Sequence, residues 1–539
     1  MSDPTPALAD PEIDAAAPAA ESAAADAALL ARVQAPEGQG REIPDAATRE
    51  VIGRAPVHTV ADVDAAVARA RAAQPAWDAR GHEERSALLM AAADRIEANS
   101  EALARLLSRE QGKPLDGPNA RFEVGACAAW LRTAAGTELR PEVVVDDGQV
   151  YAELHYRALG VVAAVGPWNW PMMITVWQIA PALRMGNTVV VKPSEYTPLS
   201  VLALVDVINE VLPDDVLIAV AGDRDAGARL VAHPEVDKVM FTGSTTTGRK
   251  IIESSAGNLA RLTLELGGND AGIVLPDVDP AAIAEGLFWG AFINTGQTCA
   301  ALKRLYVHDD VYDAVVDALA GYAAQVPMGR GLDEGTVLGP LQNKQQFDIV
   351  DRLVDDAKAA GGRIVLGGEP ATDLGELFYR TTIVADVADG VALVDEEQFG
   401  PVLPVIRYTE LDDAVASANG LDVGLGASVW SSDRDAARRV AARLQAGTVW
   451  INSHGGVHPL IPFGGVKGSG YGLEPQHQQS LDLADACLDS SVLPTRARPH
   501  ATPPSSVAKA TCARRGTTVR TGPRPPRRAG VRRRVREPA

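Results

Sequence analysis

Apolar residues recur at helical spacing along three stretches of the amino-terminal third, and the pattern predicts helices over 61–73, 83–110 and 121–135. Between Gln149 and Arg157 the period shortens to two. Val150, Ala152, Leu154 and Tyr156 alternate there with Tyr151, Glu153 and His155. Paired with 142–145 across Asp146-Asp147-Gly148, this segment reads as a β-hairpin. Five short apolar runs bounded by glycine or proline follow, at 161–165, 188–191, 217–221, 238–241 and 262–264. Helical patterns such as 200–211 separate most of them. Strand–helix–strand repetition predicts an α/β fold with a parallel sheet covered on both faces. A second alternating region spans 271–470 and contains a strand at 304–307 and a helix at 312–325.

The chain has 539 residues, room for about three domains at roughly 100–200 residues each. Its 46% hydrophobic and 22% charged content is that of a globular protein. Cys127, Cys299, Cys487 and Cys512 are widely spaced and form no C-x-x-C pair, which argues against a disulfide framework or a metal site and for a reducing, cytoplasmic setting. The formal net charge is −19, but 13 of the 51 Lys+Arg and one of the 70 Asp+Glu lie beyond residue 494. The acidic body repels nucleic acid and anionic membrane. The first 30 residues are Ala-rich and acidic with no basic region ahead of an apolar run, so no secretory leader is expected. Residues 1–35 read as a disordered or weakly helical tail. Segment 158–183 carries no charge, yet Pro167, Asn169, Pro171, Gln178 and Pro181 interrupt it. A buried strand, a loop and a buried helix fit it better than a membrane span.

Three segments carry the groups needed for covalent attack on a carbonyl. Cys299 lies in Asn294-Thr295-Gly296-Gln297-Thr298-Cys299, a stretch of small polar residues with no apolar period to bury a structural thiol. Leu264-Glu265-Leu266-Gly267-Gly268-Asn269 places a single carboxylate in an uncharged segment, and Pro167-Trp168-Asn169-Trp170-Pro171 holds an amide between aromatic rings. Nucleophile, base and oxyanion donor are then all present. Two further motifs follow strands. Lys192-Pro193-Ser194-Glu195 offers partners for ribose hydroxyls, although a solvated turn is the simpler reading of it alone. Gly243-Ser244 opens a helix and offers backbone N–H groups to a phosphate. Arg249 and Lys250 stand where a P-loop needs Lys and Ser/Thr, so this is not one. Cys127, in a helix of Ala and Val, reads as core. His454 and His458 read as solvated loop residues, and Glu396 as a surface acid.

Together these motifs resemble the NAD(P)-dependent aldehyde dehydrogenase superfamily. The resemblance runs from about Glu37 to Glu474 and includes Glu397-Gln398-Phe399-Gly400-Pro401 and Pro462-Phe463-Gly464-Gly465 in the same order. It implies a Rossmann-like cofactor domain (36–136 and 158–265), an α/β catalytic domain (266–474) and a small β oligomerisation arm at 137–157. It also implies a homodimer or homotetramer acting on a small-molecule aldehyde. By the same resemblance Cys299 is the nucleophile, Asn169 holds the oxyanion and Glu265 activates the hydrolytic water. Trp168, Lys192, Glu195, Gly243, Ser244, Glu397 and Phe399 surround NAD, with NADP possible. Trp170, Met173 and Trp177 line an apolar substrate tunnel, and Glu474 falls at a proton-relay position. The presence of Glu265 favours release of a free acid. A coenzyme A-acylating reaction is the alternative, as is an impaired enzyme, because the chain departs from the family after Glu474. Residues 475–539 form an Arg/Pro/Ala/Gly-rich tail whose composition suggests a shifted reading frame, a functional basic tail being the other reading.

Overall fold

The computed structural model describes residues 19–472. Val, Ile and Thr dominate the short runs, and such β-branched chains suit a pleated, buried surface. Five of these runs form parallel strands in the order Arg261–Glu265, Lys238–Thr242, Val161–Val165, Thr188–Lys192 and Leu217–Ala219. Alternate residues feed opposite faces. Val161, Ala163, Val190 and Val239 pack with helices Val60–Ala79, Arg224–Val231 and Thr245–Ser255. Val162, Ala164, Val189 and Met240 pack into the larger core with helices Pro171–Arg184 and Pro198–Asn209. The strand order reverses beside Val161–Val165, so the crevice at the carboxyl ends of this strand and of Lys238–Thr242 is a topological switch point, where α/β sheets bind ligands. Uncharged segment 158–183 becomes the strand Val161–Val165 and the helix Pro171–Arg184. Among the described residues no helix is long and apolar enough to cross a membrane.

A second sheet of seven strands runs in the order Arg363–Leu366, Thr382–Val387, Val402–Tyr408, Leu302–His308, Asp270–Val274, Gly426–Trp430 and Thr448–Ile451, with only the first strand antiparallel. The two-residue strand Gly470–Tyr471 returns to the first sheet and pairs antiparallel with Arg261–Glu265, Gly470 opposite Glu265. The 266–474 segment therefore contributes an edge strand to the sheet of the preceding segment.

Several expectations are corrected. Of the two readings of tail 1–35, disordered or weakly helical, Ala19–Val33 takes the helical one. Leu29 and Leu30 are buried, and Arg32 pairs with Asp206 and Glu210 of helix Pro198–Asn209 and the residue after it. Gly53 admits the Leu30 side chain: a Cβ there would lie 2.9 Å from Leu30 Cδ1. The single helix expected over 83–110 is two, Gly81–Ala98 and Ser100–Gln111, separated at Asn99 (φ −111°, ψ 13°). The strand expected over 217–221 ends at Ala219. Residues 475–539, with Cys487 and Cys512, and Glu474 lie outside the described residues.

The hairpin at 140–156 is a separate unit. Strands Glu142–Asp146 and Tyr151–Leu154 pair antiparallel. Asp147 Oδ1 accepts from the N–H groups of Gln149 and Val150 at 2.8 and 2.7 Å, and Gly148 supplies the left-handed turn residue (φ 81°).

Candidate active site

Cys299 sits on a loop with unusual backbone geometry. After helix Pro280–Phe292 the chain makes the short turn Ile293–Gly296, in which Asn294 (φ 50°), Thr295 (φ 57°) and Gly296 (φ 74°) are all left-handed. Such strain persists only where surroundings enforce it. Here they do. Thr295 Oγ1 exchanges hydrogen bonds with the Gly339 main chain at 3.0 and 3.2 Å. The Gln297 amide donates to Asn294 and Pro340 carbonyls and accepts from the Gln342 N–H at 2.9 Å. At Gly296 a Cβ would lie 2.1 Å from the Gly400 carbonyl oxygen, so the position admits only glycine. A stretch of small polar residues is thus fixed by side-chain and main-chain hydrogen bonds.

Asn169, at the carboxyl end of Val161–Val165, meets this loop directly. Its Nδ2 donates to the Gln297 carbonyl at 2.9 Å, and its own carbonyl accepts from Asn294 Nδ2 at 2.9 Å. Next to it, Trp170 Nε1 donates to Thr298 Oγ1 at 2.9 Å. The amide and the Cys299 loop are thus one hydrogen-bonded unit. An NH₂ group has two donors, and the Gln297 carbonyl takes only one.

Two residues not singled out from the sequence hold this unit in place. Lys113 and Glu123, both fully buried, form an ion pair at 2.6 Å. The ammonium also donates to the Asn169 carbonyl at 2.9 Å and lies 3.5 Å above the Trp170 ring. Glu123 Oε1 accepts from the N–H groups of Met172 and Met173, in the first turn of helix Pro171–Arg184, where a carboxylate also complements the dipole. Burial pulls the Lys113 ammonium down to about 8, with Glu123 opposing. Only their fold neighbours mark them; Gly112-Lys113-Pro114 reads as an ordinary helix end.

Glu265 ends the strand Arg261–Glu265 and is 4% exposed. The two glycines after it keep the chain narrow where three parts of the site converge. A Cβ on Gly267 would lie 2.8 Å from Glu397 Oε2, and one on Gly268 would lie 2.8 Å from the Cys299 carbonyl oxygen. Burial pushes the Cys299 thiol up to about 12; the Lys303 ammonium pulls it down, while the carboxylates of Glu265, Glu397 and Asp270 push it further up. Glu397 accepts from Lys303 Nζ at 2.8 Å and from the Gly268 N–H, and burial raises its carboxyl. Phe399 is left-handed (φ 46°) and meets the Trp168 ring edge-on at 5.3 Å.

The remaining cofactor candidates lie at neighbouring strand ends. Lys192 ends Thr188–Lys192 with its ammonium bonded to the Pro193 carbonyl at 3.0 Å and 3.9 Å from the half-exposed Glu195; burial lowers its pKa. Gly243 precedes exposed Ser244, which caps helix Thr245–Ser255 by accepting from the Thr247 N–H. A Cβ at Gly243 would lie 2.5 Å from Phe241 Cζ, so the turn is bare backbone. A buried cation, a half-exposed carboxylate and an exposed helix N-terminus on strand ends of one sheet suit a dinucleotide. No group of metal-ligating side chains is found among the described residues.

Trp170, Met173 and Trp177 are all buried. Trp177 stacks on Trp130 at 5.3 Å and contacts Phe463. Cys127 is core, and Glu396 is exposed and pairs with Arg352. His454, expected to be solvated, has a fully buried side chain 3.6 Å from Asp270 and 2.9 Å from Ser428 Oγ. His458 is exposed.

Residues 34–484 match the model of the aldehyde dehydrogenase family. The chain belongs to the aldehyde dehydrogenase family. It is 40% identical over 441 residues to phenylacetaldehyde dehydrogenase of Pseudomonas fluorescens, covering 79% of this chain and 88% of that protein. Among solved structures, the NAD+ complex of an aldehyde dehydrogenase from Bacillus cereus superposes with a TM-score of 0.78 at 36% identity, covering 82% of this chain and 91% of the other. An NADP-dependent enzyme of E. coli superposes at 0.79 with 34% identity, covering 82% and 92%. Both nicotinamide dinucleotides therefore occur on this fold, and the chain is an NAD(P)-dependent oxidoreductase of this class.

Proposed function

We propose that this enzyme oxidises an aldehyde to the free carboxylic acid, with Cys299 as nucleophile, Asn169 as oxyanion donor and Glu265 as general base. The observation that carries the reading is the convergence of three chain segments: Asn169 is hydrogen-bonded into the Cys299 loop, and Gly268, three residues after Glu265, packs against the Cys299 carbonyl. The thiolate attacks the aldehyde carbon, and the carbonyl oxygen takes up the negative charge. The second N–H of Asn169 and the Cys299 N–H stabilise that charge. A nicotinamide held beside Glu397 and Phe399 would supply the hydride acceptor that oxidation of the thiohemiacetal carbon requires. Glu265 then takes a proton from water, the hydroxide attacks the resulting thioester, and the acid departs as the thiolate re-forms.

Lys192, Glu195, Gly243, Ser244 and Trp168 are suited to hold the adenosine and pyrophosphate half of the cofactor, and Glu397 with Phe399 the nicotinamide-ribose side. Glu195 would repel a ribose 2′-phosphate, which favours NAD over NADP. The buried Trp170, Met173 and Trp177 favour an apolar aldehyde, aliphatic or aromatic, in keeping with the phenylacetaldehyde dehydrogenase it resembles. Exposed Val150 and Tyr151 give the 140–156 hairpin an apolar surface of its own, suited to a homo-oligomer contact.

The test is single-turnover chemistry with Glu265→Gln. It should give a burst of reduced cofactor near one equivalent, followed by slow turnover, with a covalent acyl adduct on the Cys299 peptide by mass spectrometry. A wild-type enzyme that releases acyl-coenzyme A in preference to acid would establish the acylating alternative. Full aldehyde oxidation by Cys299→Ala would sink the mechanism.

A further inference from the structure

We infer that Lys303 is a positioning residue of the nucleophile, tying the Glu397 carboxylate to the Cys299 main chain and keeping a positive charge beside the thiol; the role rests on Cys299 being the attacking group. Lys303 is the second residue of strand Leu302–His308 and is 1% exposed. A lysine without partners in the interior extends its ammonium to water. This one cannot. Its Nζ donates to the Cys299 carbonyl at 3.0 Å and to Glu397 Oε1 at 2.8 Å, and it lies 5.3 Å from the Phe399 ring centre. Gln398 locks the same residue from behind, donating from Nε2 to the Lys303 carbonyl at 3.0 Å and to Val402 at 2.8 Å.

The placement answers a need of the site. A buried ammonium is costly unless paired and hydrogen-bonded. Two of its donors join the Cys299 carbonyl to the Glu397 carboxylate, so one cation ties the nucleophile's main chain to the acid proposed for the nicotinamide-ribose side. The charged groups acting on the thiol are Lys303, Glu265, Glu397 and Asp270. Lys303 is the sole positive member of that set, against three carboxylates. Burial already favours the neutral thiol, so removing Lys303 would leave every remaining influence opposed to the thiolate. Removing Glu397 would do the reverse.

Alkylation of Cys299 by iodoacetamide in the cofactor-free enzyme reads the thiolate directly, and labelled-peptide mass spectrometry assigns the site. Rates are compared between pH 7 and 10 in wild type, Lys303→Met, Lys303→Arg and Glu397→Gln. An opposite charge at this range is worth about one pK unit or more. Lys303→Met should therefore be alkylated about tenfold more slowly at a given pH, Lys303→Arg should recover most of the rate, and Glu397→Gln should react faster than wild type. Coincident profiles for wild type and Lys303→Met would overturn the assignment. Should Lys303→Met fail to fold, an unchanged or slower Glu397→Gln would overturn it equally. Failure of the nucleophile reading looks different: Cys299→Ala would retain aldehyde oxidation, whatever the alkylation profiles show.

Discussion

Asn169 Nδ2 donates to the carbonyl of Gln297 at 2.9 Å, two residues before Cys299. The bond ties the proposed oxyanion donor to the loop that carries the proposed nucleophile. On the proposed mechanism Asn169 has two tasks, to tether the Cys299 loop and to bind the oxyanion. Asn169→Ala removes both and should lower kcat by about 10²–10³. Asn169→Asp keeps an acceptor-only oxygen facing the Gln297 carbonyl and adds negative charge where the oxyanion forms, so it should be worse than alanine. Steady-state kcat with a good aldehyde, measured alongside Cys299 alkylation, checks this. An Ala variant within threefold of wild type would remove Asn169 from the mechanism.

Lys113 and Glu123 reach the same loop from behind. Truncating one member of a fully buried pair strands the other charge, a loss of about 3–5 kcal/mol. Lys113→Met should therefore unfold at lower urea concentration and raise KM for aldehyde, because the Asn169 carbonyl and the Trp170 ring lose their anchor. The double variant Lys113→Met/Glu123→Gln should recover most of the stability. If it is no more stable than the single variant, the pair is not the cause.

The contrast between these residues and the motifs shows what the chain made legible. Strand ends followed by Gly, Ser or Pro announce their turns locally, so Lys192 and Gly243 stood out where strands Thr188–Lys192 and Lys238–Thr242 end, and Asn169 in the loop after Val161–Val165. Alternation at 149–157 likewise foretold the hairpin. Lys303 and Glu397 are 94 residues apart, and Lys113 meets Asn169 across 56. Nothing local marks such partners, since what distinguishes them is burial. His454 was misread for the same reason: a Gly-rich segment looks solvated until Ser428 and Asp270 are found around the ring. At Ala19–Val33 the Ala-rich acidic composition fits disorder or a weak helix equally, and only the burial of Leu29 and Leu30 decides for the helix. The break at Asn99 left a continuous apolar period on either side.

Glu195 is half-exposed and 3.9 Å from Lys192, an arrangement that leaves its charge available to a cofactor ribose. Glu195→Gln keeps a hydrogen-bonding oxygen but removes the repulsion toward a 2′-phosphate. kcat/KM for NADP should rise about tenfold, the effect of roughly one pK unit of charge interaction, with a smaller change for NAD. Paired steady-state titrations with the two cofactors decide it. No gain with NADP would mean that the ribose is bound elsewhere.

Glu110 offers a pH test of the scaffold around the cofactor segment. Fully buried, it accepts from the Leu199 and Ser200 N–H groups at 2.6 and 2.9 Å, at the start of helix Pro198–Asn209. Burial raises its pKa from 4.5 to about 7, with those hydrogen bonds opposing. A folded-state pKa above the unfolded one means that the native protein binds more protons between those limits. The contribution is fully present below about pH 4.5 and is lost as pH rises through about 7. Wild type should therefore lose stability between pH 5 and 8 relative to Glu110→Gln, by an amount on the order of 1–3 kcal/mol. Glutamine does not titrate, and its carbonyl oxygen can still accept one of the two N–H groups. Urea unfolding of both proteins at the two pH values isolates the difference. A gap that stays constant or widens in favour of wild type at pH 8 would show that Glu110 remains ionised throughout, held by the helix N-terminus against its burial.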